Sequence, residues 1–389
     1  MIDSNKIITI LGSTGSIGVQ TLQVLDALGE GCSVGYLTTN SNIDLLIEQV
    51  KKYKPEGVVI SEEKAFNEFK NKFSFSGSIL KGKDGICEAA SFAGNDLVVS
   101  ALVGFSGVLP TLSAIKAGKD VALANKETLV SAGSIITKTA IDNNVRLIAV
   151  DSEHSAVLQC IIGEEKDSIE KIILTASGGP FRNTDINDFE KITAAQALAH
   201  PNWSMGNKIT IDSATMMNKG FEIIEAFWLF GVNKQQIEVL IHPQSIVHSM
   251  VQFIDGSVKA QLGLPDMRLP ISYALDYPHR HNYDFPRLDL AKIGTLTFEK
   301  PDTEKFRCLA LAYYALESGG TATAILNASN EIAVDAFLKN KISFSGIAEC
   351  VEKALDSIPV QKQPGLDEII FADNETRVRT KELIKKMKK

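Results

Sequence analysis

The sequence predicts an α/β protein: an N-terminal Rossmann-type doubly wound parallel sheet, a central α+β catalytic domain and a C-terminal helical domain. Three observations carry this. Short apolar strands alternate with segments of helical period up to about residue 150. A glycine-rich turn joins the first strand to the first helix. Beyond residue 150 the alternation gives way to polar loops and a hairpin pattern, and then to mostly helical sequence.

Taken in order, Lys6–Leu11 reads as the first strand and 19–28 as a helix with apolar residues at helical spacing. Strands follow at 33–37, Gly57–Ile60, Leu97–Ser100, 120–124 and 146–150, with helices at 42–53 and 110–117. Such alternation builds a parallel sheet covered by helices on both faces. In the second half, 171–175, 208–212 and 239–241 read as strands, and 249–253 with 257–262 as a hairpin. The expected domains are 1–150 for a dinucleotide, 151–277 for catalysis with a loop at 198–208, a proline-bearing linker at 278–304, and 305–389 as helices.

Composition narrows the function. Lys and Arg number 40 against 47 Asp and Glu, a net charge of −7, which disfavours nucleic acid or an anionic membrane as partner. The five cysteines are scattered, with no spacing that suits zinc, and are expected to be buried free thiols in a reducing compartment. The chain runs straight into an apolar strand without signal-peptide features and carries no long apolar run, so a cytoplasmic protein is expected.

The turn Gly12-Ser13-Thr14-Gly15-Ser16-Ile17-Gly18 fits GxxGxxG between strand and helix. Glycines there allow close approach to a pyrophosphate, and the helix start offers free N–H groups. A carboxylate near the end of the second strand would favour NAD. This chain instead has Thr38-Thr39-Asn40-Ser41-Asn42, which favours NADP, although no Lys or Arg is present either. Asn125-Lys126-Glu127, at a strand's carboxyl end, fits contacts to the nicotinamide ribose or substrate; a plain helix start is the alternative.

Asp151-Ser152-Glu153 follows the strand 146–150. In extended chain Asp151 and Glu153 point the same way and can share an ion. A helix N-cap with acids in its first turn fits equally well. A second cluster adds weight to the ion. If a helix starts near Ser213, then Asn218, Lys219 and Glu222 share one face, ahead of a strongly apolar stretch. Lys219 and Asn218 then hold an anionic or polar substrate, and Glu222 gives the metal a third carboxylate; a purely structural Lys219–Glu222 pair is the alternative. Three oxygen donors suit Mg²⁺ or Mn²⁺. Ser177-Gly178-Gly179 is suited to a phosphate through backbone N–H groups, with a hairpin turn as the alternative. The loop containing His200, Trp203 and Gly206 reads as a lid or as a fixed plug.

GSTGSIG, LANKE, VDSEH, ASGGPFR, HPNWSMG, IDSATMMNKGFE, HPQSIVHSMV and QLGLPDMRLPI occur in that order. Together they resemble the 1-deoxy-D-xylulose 5-phosphate reductoisomerase family over nearly the whole chain. The resemblance implies NADPH-dependent, divalent-metal-dependent conversion of a sugar phosphate in isoprenoid precursor synthesis by a homodimer. It implies that Asp151, Glu153 and Glu222 bind the metal, with Lys219 among the catalytic groups. Ser152, Lys126, Ser177, His200, Trp203, Ser213 and Asn218 would contact substrate. Gly12, Thr14, Gly15, Ser16, Ile17, Asn40, Ser41, Asn42, Asn125, Glu127 and Gly206 would hold the cofactor. The family often carries Gly-Lys-Asn where this chain has Asn40-Ser41-Asn42, so the lysine that meets the 2′-phosphate is missing here.

Overall fold

The computed structural model describes residues 6–29, 31–199 and 206–387. The chain forms two compact units. The first comprises Met1–Thr128, Ile136–Ser155 and Asp266–Pro286; the second comprises Leu129–Ile135, Ala156–Pro265 and Arg287–Lys389.

The first unit is built on seven strands: β1 (Lys6–Leu11), β2 (Cys32–Thr39), β3 (Gly57–Ile60), β4 (Ser78–Lys81), β5 (Leu97–Ser100), β6 (Asp120–Leu123) and β7 (Leu147–Ala149). Their order is β4-β3-β2-β1-β5-β6-β7. Every neighbouring pair is parallel. The central strands are buried along nearly their full length, as helices on both faces require. That is why they read as unbroken apolar runs. β4 escapes such a reading because it is a half-exposed edge strand with sequence SILK. The order reverses between β1 and β5, and in this topology ligands gather at the carboxyl ends flanking that reversal. The segment Asp266–Pro286 returns to this unit. Its helix Arg268–Leu275 packs on the Ser16–Leu28 helix and on β6 and β7. Beyond the helix the buried rings of Tyr283 and Phe285 stack at 4.8 Å.

The second unit carries a mixed sheet ordered β11-β10-β8-β9, from β8 (Ile169–Ala176), β9 (Ile237–Ile241), β10 (Val247–Phe253) and β11 (Val258–Leu262). β10 and β11 form the expected hairpin. β8 pairs antiparallel with β10 and parallel with β9. The apolar face of the Met217–Phe230 helix joins one core with β8, β9 and the C-terminal helices Arg307–Ser318, Ala322–Leu338 and Ser345–Ser357. Among the described residues no helix is long and apolar enough to cross a membrane. Cys160, Cys308 and Cys350 are buried free thiols, while Cys32 and Cys87 are half-buried. Burial pushes the Cys308 thiol up to about 12 and those of Cys160 and Cys350 up to about 11.

Three local readings are corrected. Residues 208–212 are not a strand but lie in the helix Asn207–Ala214. The alternating, β-branched KITID pattern is overridden because Lys208 and Asp212 pair one helical turn apart and Thr210 and Ile211 are buried. No helix begins at Ser213, which lies in the last turn of this one. Met216 adopts a left-handed conformation (φ 63°), and the next helix starts at Met217. Finally, the chain is not extended at Asp151-Ser152-Glu153. A helix starts at Ser152, and the Asp151 carbonyl accepts the first helical bond, from Ser155 N–H.

Candidate active site

The glycine turn sits at the strand reversal of the first unit. Gly12 has φ 89°, and a Cβ there would lie 2.6 Å from the Ala101 carbonyl at the end of β5. A Cβ on Gly18 would lie 2.3 Å from the Gly12 carbonyl. These two glycines let the turn close upon itself and upon β5. Gly15 is the N-cap of helix Ser16–Leu28 and offers no side-chain cap, so the first-turn N–H groups remain available to an anion. The turn is fixed by Thr38 of the second strand and by Gln49, which no sequence pattern singles out. Thr38 Oγ1 accepts from Gly12 N at 2.7 Å, and Gln49 Nε2 donates to the Ser13 carbonyl at 2.8 Å. Gln49 is a buried amide among Leu46, Ile47 and Val50 on a helix otherwise apolar on that face, and such a residue needs partners. Thr14 and Thr39 share a hydrogen bond of 2.7 Å, while Asn40, Ser41 and Asn42 are exposed. Asn42 caps the next helix by accepting from Leu45 N.

At the carboxyl end of β6, Asn125 is buried and its Nδ2 donates to the carbonyls of Leu102 and Gly104 and to Glu127 Oε2. Its role in the protein alone is thus to tie two strand ends together. Lys126 is buried too, with Nζ 2.8 Å from Asp151 Oδ2. Burial pushes the Asp151 carboxyl up, but Lys126 and His154 outweigh it and hold the group below the usual carboxylate range. Asp151 Oδ1 is buried and accepts no hydrogen bond among the described residues; it lies 3.6 Å from His154 Nδ1. An ionised oxygen of that kind suits a hard cation. Glu153, in the first turn of the helix, accepts from Ser152 Oγ at 2.5 Å.

The second unit holds the remaining candidates. Asn218 Nδ2 donates to Glu222 Oε1 at 2.6 Å, and Lys219 Nζ to Glu222 Oε2. Lys219 and Glu222 are 3% and 1% exposed, so the face expected from their spacing is real and buried. The Ser177-Gly178-Gly179 turn is no hairpin: it leads from β8 into a long excursion before the next strand, β9, which pairs with β8 in parallel. Gly178 and Gly179 both have positive φ, and a Cβ on Gly179 would lie 2.8 Å from the Ser213 carbonyl. The turn therefore lies directly against the helix end that carries Ser213. Gly206 is the N-cap of that helix. His200 and Trp203, and with them most of the loop at 198–208, lie outside the described residues.

Comparison with known proteins gives a consistent result. The family model described as 1-deoxy-D-xylulose 5-phosphate reductoisomerase matches residues 8–133. Its C-terminal domain matches 147–230, and the DXP reductoisomerase C-terminal domain matches 262–379. The 1-deoxy-D-xylulose 5-phosphate reductoisomerase of Chloroherpeton thalassium is 53% identical over 96% of this chain and 96% of its own. The chain belongs to the 1-deoxy-D-xylulose 5-phosphate reductoisomerase family. A reductoisomerase of Bacteroides fragilis is 52% identical over 97% of this chain and 98% of that one. Among solved structures, the Zymomonas mobilis reductoisomerase in complex with NADPH has a TM-score of 0.91 at 42% identity, covering 98% of this chain and 99% of that one. A reductoisomerase in complex with NADPH, fosmidomycin and magnesium has a TM-score of 0.95 at 41% identity, covering 99% of each chain. The reductoisomerase fold is thus shared along the whole chain.

Proposed function

We propose that this protein converts 1-deoxy-D-xylulose 5-phosphate to 2-C-methyl-D-erythritol 4-phosphate, using NADPH and a divalent cation, Mg²⁺ or Mn²⁺. The observation that carries this reading is the Asn218–Glu222–Lys219 cluster, with a buried carboxylate and a buried ammonium held on one face of a helix in a chain of this family. Asp151, Glu153 and Glu222 supply the oxygen donors for the cation, and the bare Oδ1 of Asp151 fits that task. When bound, the cation supplies Lewis-acid polarisation of neighbouring substrate oxygens, and NADPH supplies the hydride that reduces the rearranged aldehyde.

The chain's own residues bind and orient. The 12–18 turn and the free end of the Ser16–Leu28 helix receive the cofactor's pyrophosphate. Asn125, with Glu127 on its amide, fixes the loop beside the nicotinamide end. Ser177, Ser213, Asn218 and Lys219 form the phosphate subsite, with His200 completing it. Lys219 also sets positive charge beside the oxygens on which negative charge develops. Ser152 contacts the substrate's carbon chain. The segment 198–208, through Trp203, closes over the substrate and excludes water, and phosphate binding drives that closure.

Two copies associate in this reading. Its support is that β11 is the open edge of its sheet and that Ile254 and Val258 are exposed in the hairpin, a combination that favours pairing over a free edge. Residence in the cytoplasm belongs to the same reading. The test is NADPH oxidation with 1-deoxy-D-xylulose 5-phosphate, with and without Mg²⁺ or Mn²⁺. Metal-dependent oxidation yielding the branched tetritol phosphate supports the proposal; folded, metal-loaded protein that oxidises nothing rejects it.

A further inference from the structure

A buried polar contact outside the residues already given roles joins two helices through residues 118 positions apart. Asp212, 2% exposed, takes Asn330 Nδ2 on Oδ1 at 2.7 Å and Lys208 Nζ on Oδ2 at 2.7 Å. Asn330 is fully buried in the helix Ala322–Leu338. Its amide is oriented by Asp212: Nδ2 faces the carboxylate, and Oδ1 is left buried without a hydrogen bond among the described residues. A buried acceptor left bare is costly, so the orientation is imposed rather than incidental. Lys208, held by Asp212, places its Nζ 5.1 Å from the ring centroid of Phe221, which is on the Met217–Phe230 helix. One carboxylate thereby clamps its own helix to the two others.

The clamp has a definite place. Asp212 immediately precedes Ser213, and Thr215 Oγ1 donates to the Asp212 carbonyl at 3.2 Å. The left-handed Met216 then turns the chain into the helix that carries Asn218, Lys219 and Glu222. The elbow at 213–217 therefore decides where the Ser213 hydroxyl stands relative to Asn218 and Lys219. Within the elbow, Met216 N–H donates to the Ser213 carbonyl at 3.2 Å and Met217 N–H to Thr215 Oγ1 at 3.4 Å, bonds that reach no other element. The link to the other helices comes from Asp212, through Asn330 and through Lys208 on Phe221.

We infer that Asp212 is a positioning residue for the phosphate subsite: it touches no substrate, and it sets the elbow between Ser213 and Lys219 by tying it to Asn330 of the C-terminal helices. The inference rests on the reading of Ser177, Ser213, Asn218 and Lys219 as that subsite. A shift of about 1 Å in such a support is enough to weaken a site strongly.

The test uses full-length Asn330→Asp, which sets carboxylate against carboxylate, and the exchanged pair Asp212→Asn/Asn330→Asp, which restores an amide–carboxylate bond with the roles reversed. The readouts are KM for 1-deoxy-D-xylulose 5-phosphate, the dissociation constant of inorganic phosphate by calorimetry, and that of NADPH by fluorescence. Asn330→Asp is expected to raise KM and the phosphate constant about tenfold while NADPH binding stays unchanged, and the exchanged pair to recover most of that loss. A purely structural role would lower folded fraction and NADPH binding together. Phosphate binding in Asn330→Asp equal to wild type, or an exchanged pair no better than the single variant, overturns the inference. Should Asn330→Asp not fold, Lys208→Gln, at a partly exposed position, carries the same test: unchanged phosphate affinity overturns the inference, and a weakened one with intact NADPH binding supports it. Wild-type protein that binds phosphate without turnover would sink the functional reading instead, and the phosphate constants would still decide the role of Asp212.

Discussion

Lys126 Nζ stands 2.8 Å from Asp151 Oδ2, with both side chains almost withdrawn from solvent. A buried carboxylate without a counter-charge takes up a proton. Lys126 thus keeps a proposed cation ligand ionised before any cation arrives. Lys126→Met is expected to let the Asp151 carboxyl rise. The concentration of Mg²⁺ that half-saturates turnover should then be little changed at pH 8 but several-fold higher than wild type at pH 6. The measurement is a Mg²⁺ titration of NADPH oxidation at both pH values. A variant-to-wild-type ratio identical at the two would show that Lys126 does not control the ionisation of Asp151.

Glu222→Gln keeps the shape of the side chain and removes its charge. Its amide nitrogen must then face either Lys219 Nζ or Asn218 Nδ2, donor against donor, at a position 1% exposed. Turnover is expected to fall by at least about a hundredfold, the order seen when a transition-state charge contact is lost. NADPH should bind as before, because the cofactor turn belongs to the other unit. Single-turnover kinetics and fluorescence titration check the two halves. Near-normal turnover would remove Glu222 from the catalytic set.

The exposed Asn40-Ser41-Asn42 turn offers a 2′-phosphate hydroxyls and amides but no cation. Ser41→Lys should raise the ratio of kcat/KM for NADPH over NADH by about fivefold, since one exposed charge-assisted contact is worth roughly 1 kcal/mol. Steady-state kinetics with both cofactors measure it. An unchanged ratio would mean that selectivity is set elsewhere.

What the sequence made legible follows from how locally each feature is encoded. β1, β3 and β5 are buried on both faces and read as apolar runs, and the turn at 12–18 announces itself through glycines that the backbone needs. The 218/219/222 face follows from helical spacing alone. The Asn207–Ala214 helix was not legible, because Ile209, Thr210 and Ile211 favour a strand and only the pairings of Lys208, Asp212 and Asn330 decide otherwise. Nor was the break at Met216, since no Gly or Pro marks it. The support given by Gln49, Thr38 and Asn330 to functional loops depends on partners tens to more than a hundred residues away, and no local pattern carries that.

The last prediction concerns the returning segment of the first unit. Asp276 follows the Arg268–Leu275 helix and accepts from Lys6 Nζ at 2.5 Å; its Oδ2 lies 2.6 Å from His281 Nε2. Burial pushes the Asp276 carboxyl up, but the bonds to Lys6 and His281 prevail and hold it below the usual carboxylate range. A carboxyl lowered on folding contributes stability that is fully present above its unfolded value, about 3.9, and is lost as the pH falls through the lower folded value. Asp276→Asn cannot ionise, so it should be less stable than wild type at pH 7 by about 2 kcal/mol, the scale of charge-assisted hydrogen bonds. The gap should begin to narrow as the pH drops below about 4, where Asp276 of the unfolded chain takes up a proton, and should vanish only below the lower folded value. Denaturant unfolding of both proteins between pH 3 and 7 measures it. Because Lys6 begins β1 and Asp276 ends the returning helix, the same substitution should loosen the first residues of β1, seen as faster amide exchange at Ile7 and Ile8 than at β5. A stability gap that stays constant across this pH range would show that the loss is one of packing, and that the ionised Asp276 is not what holds the returning segment to β1.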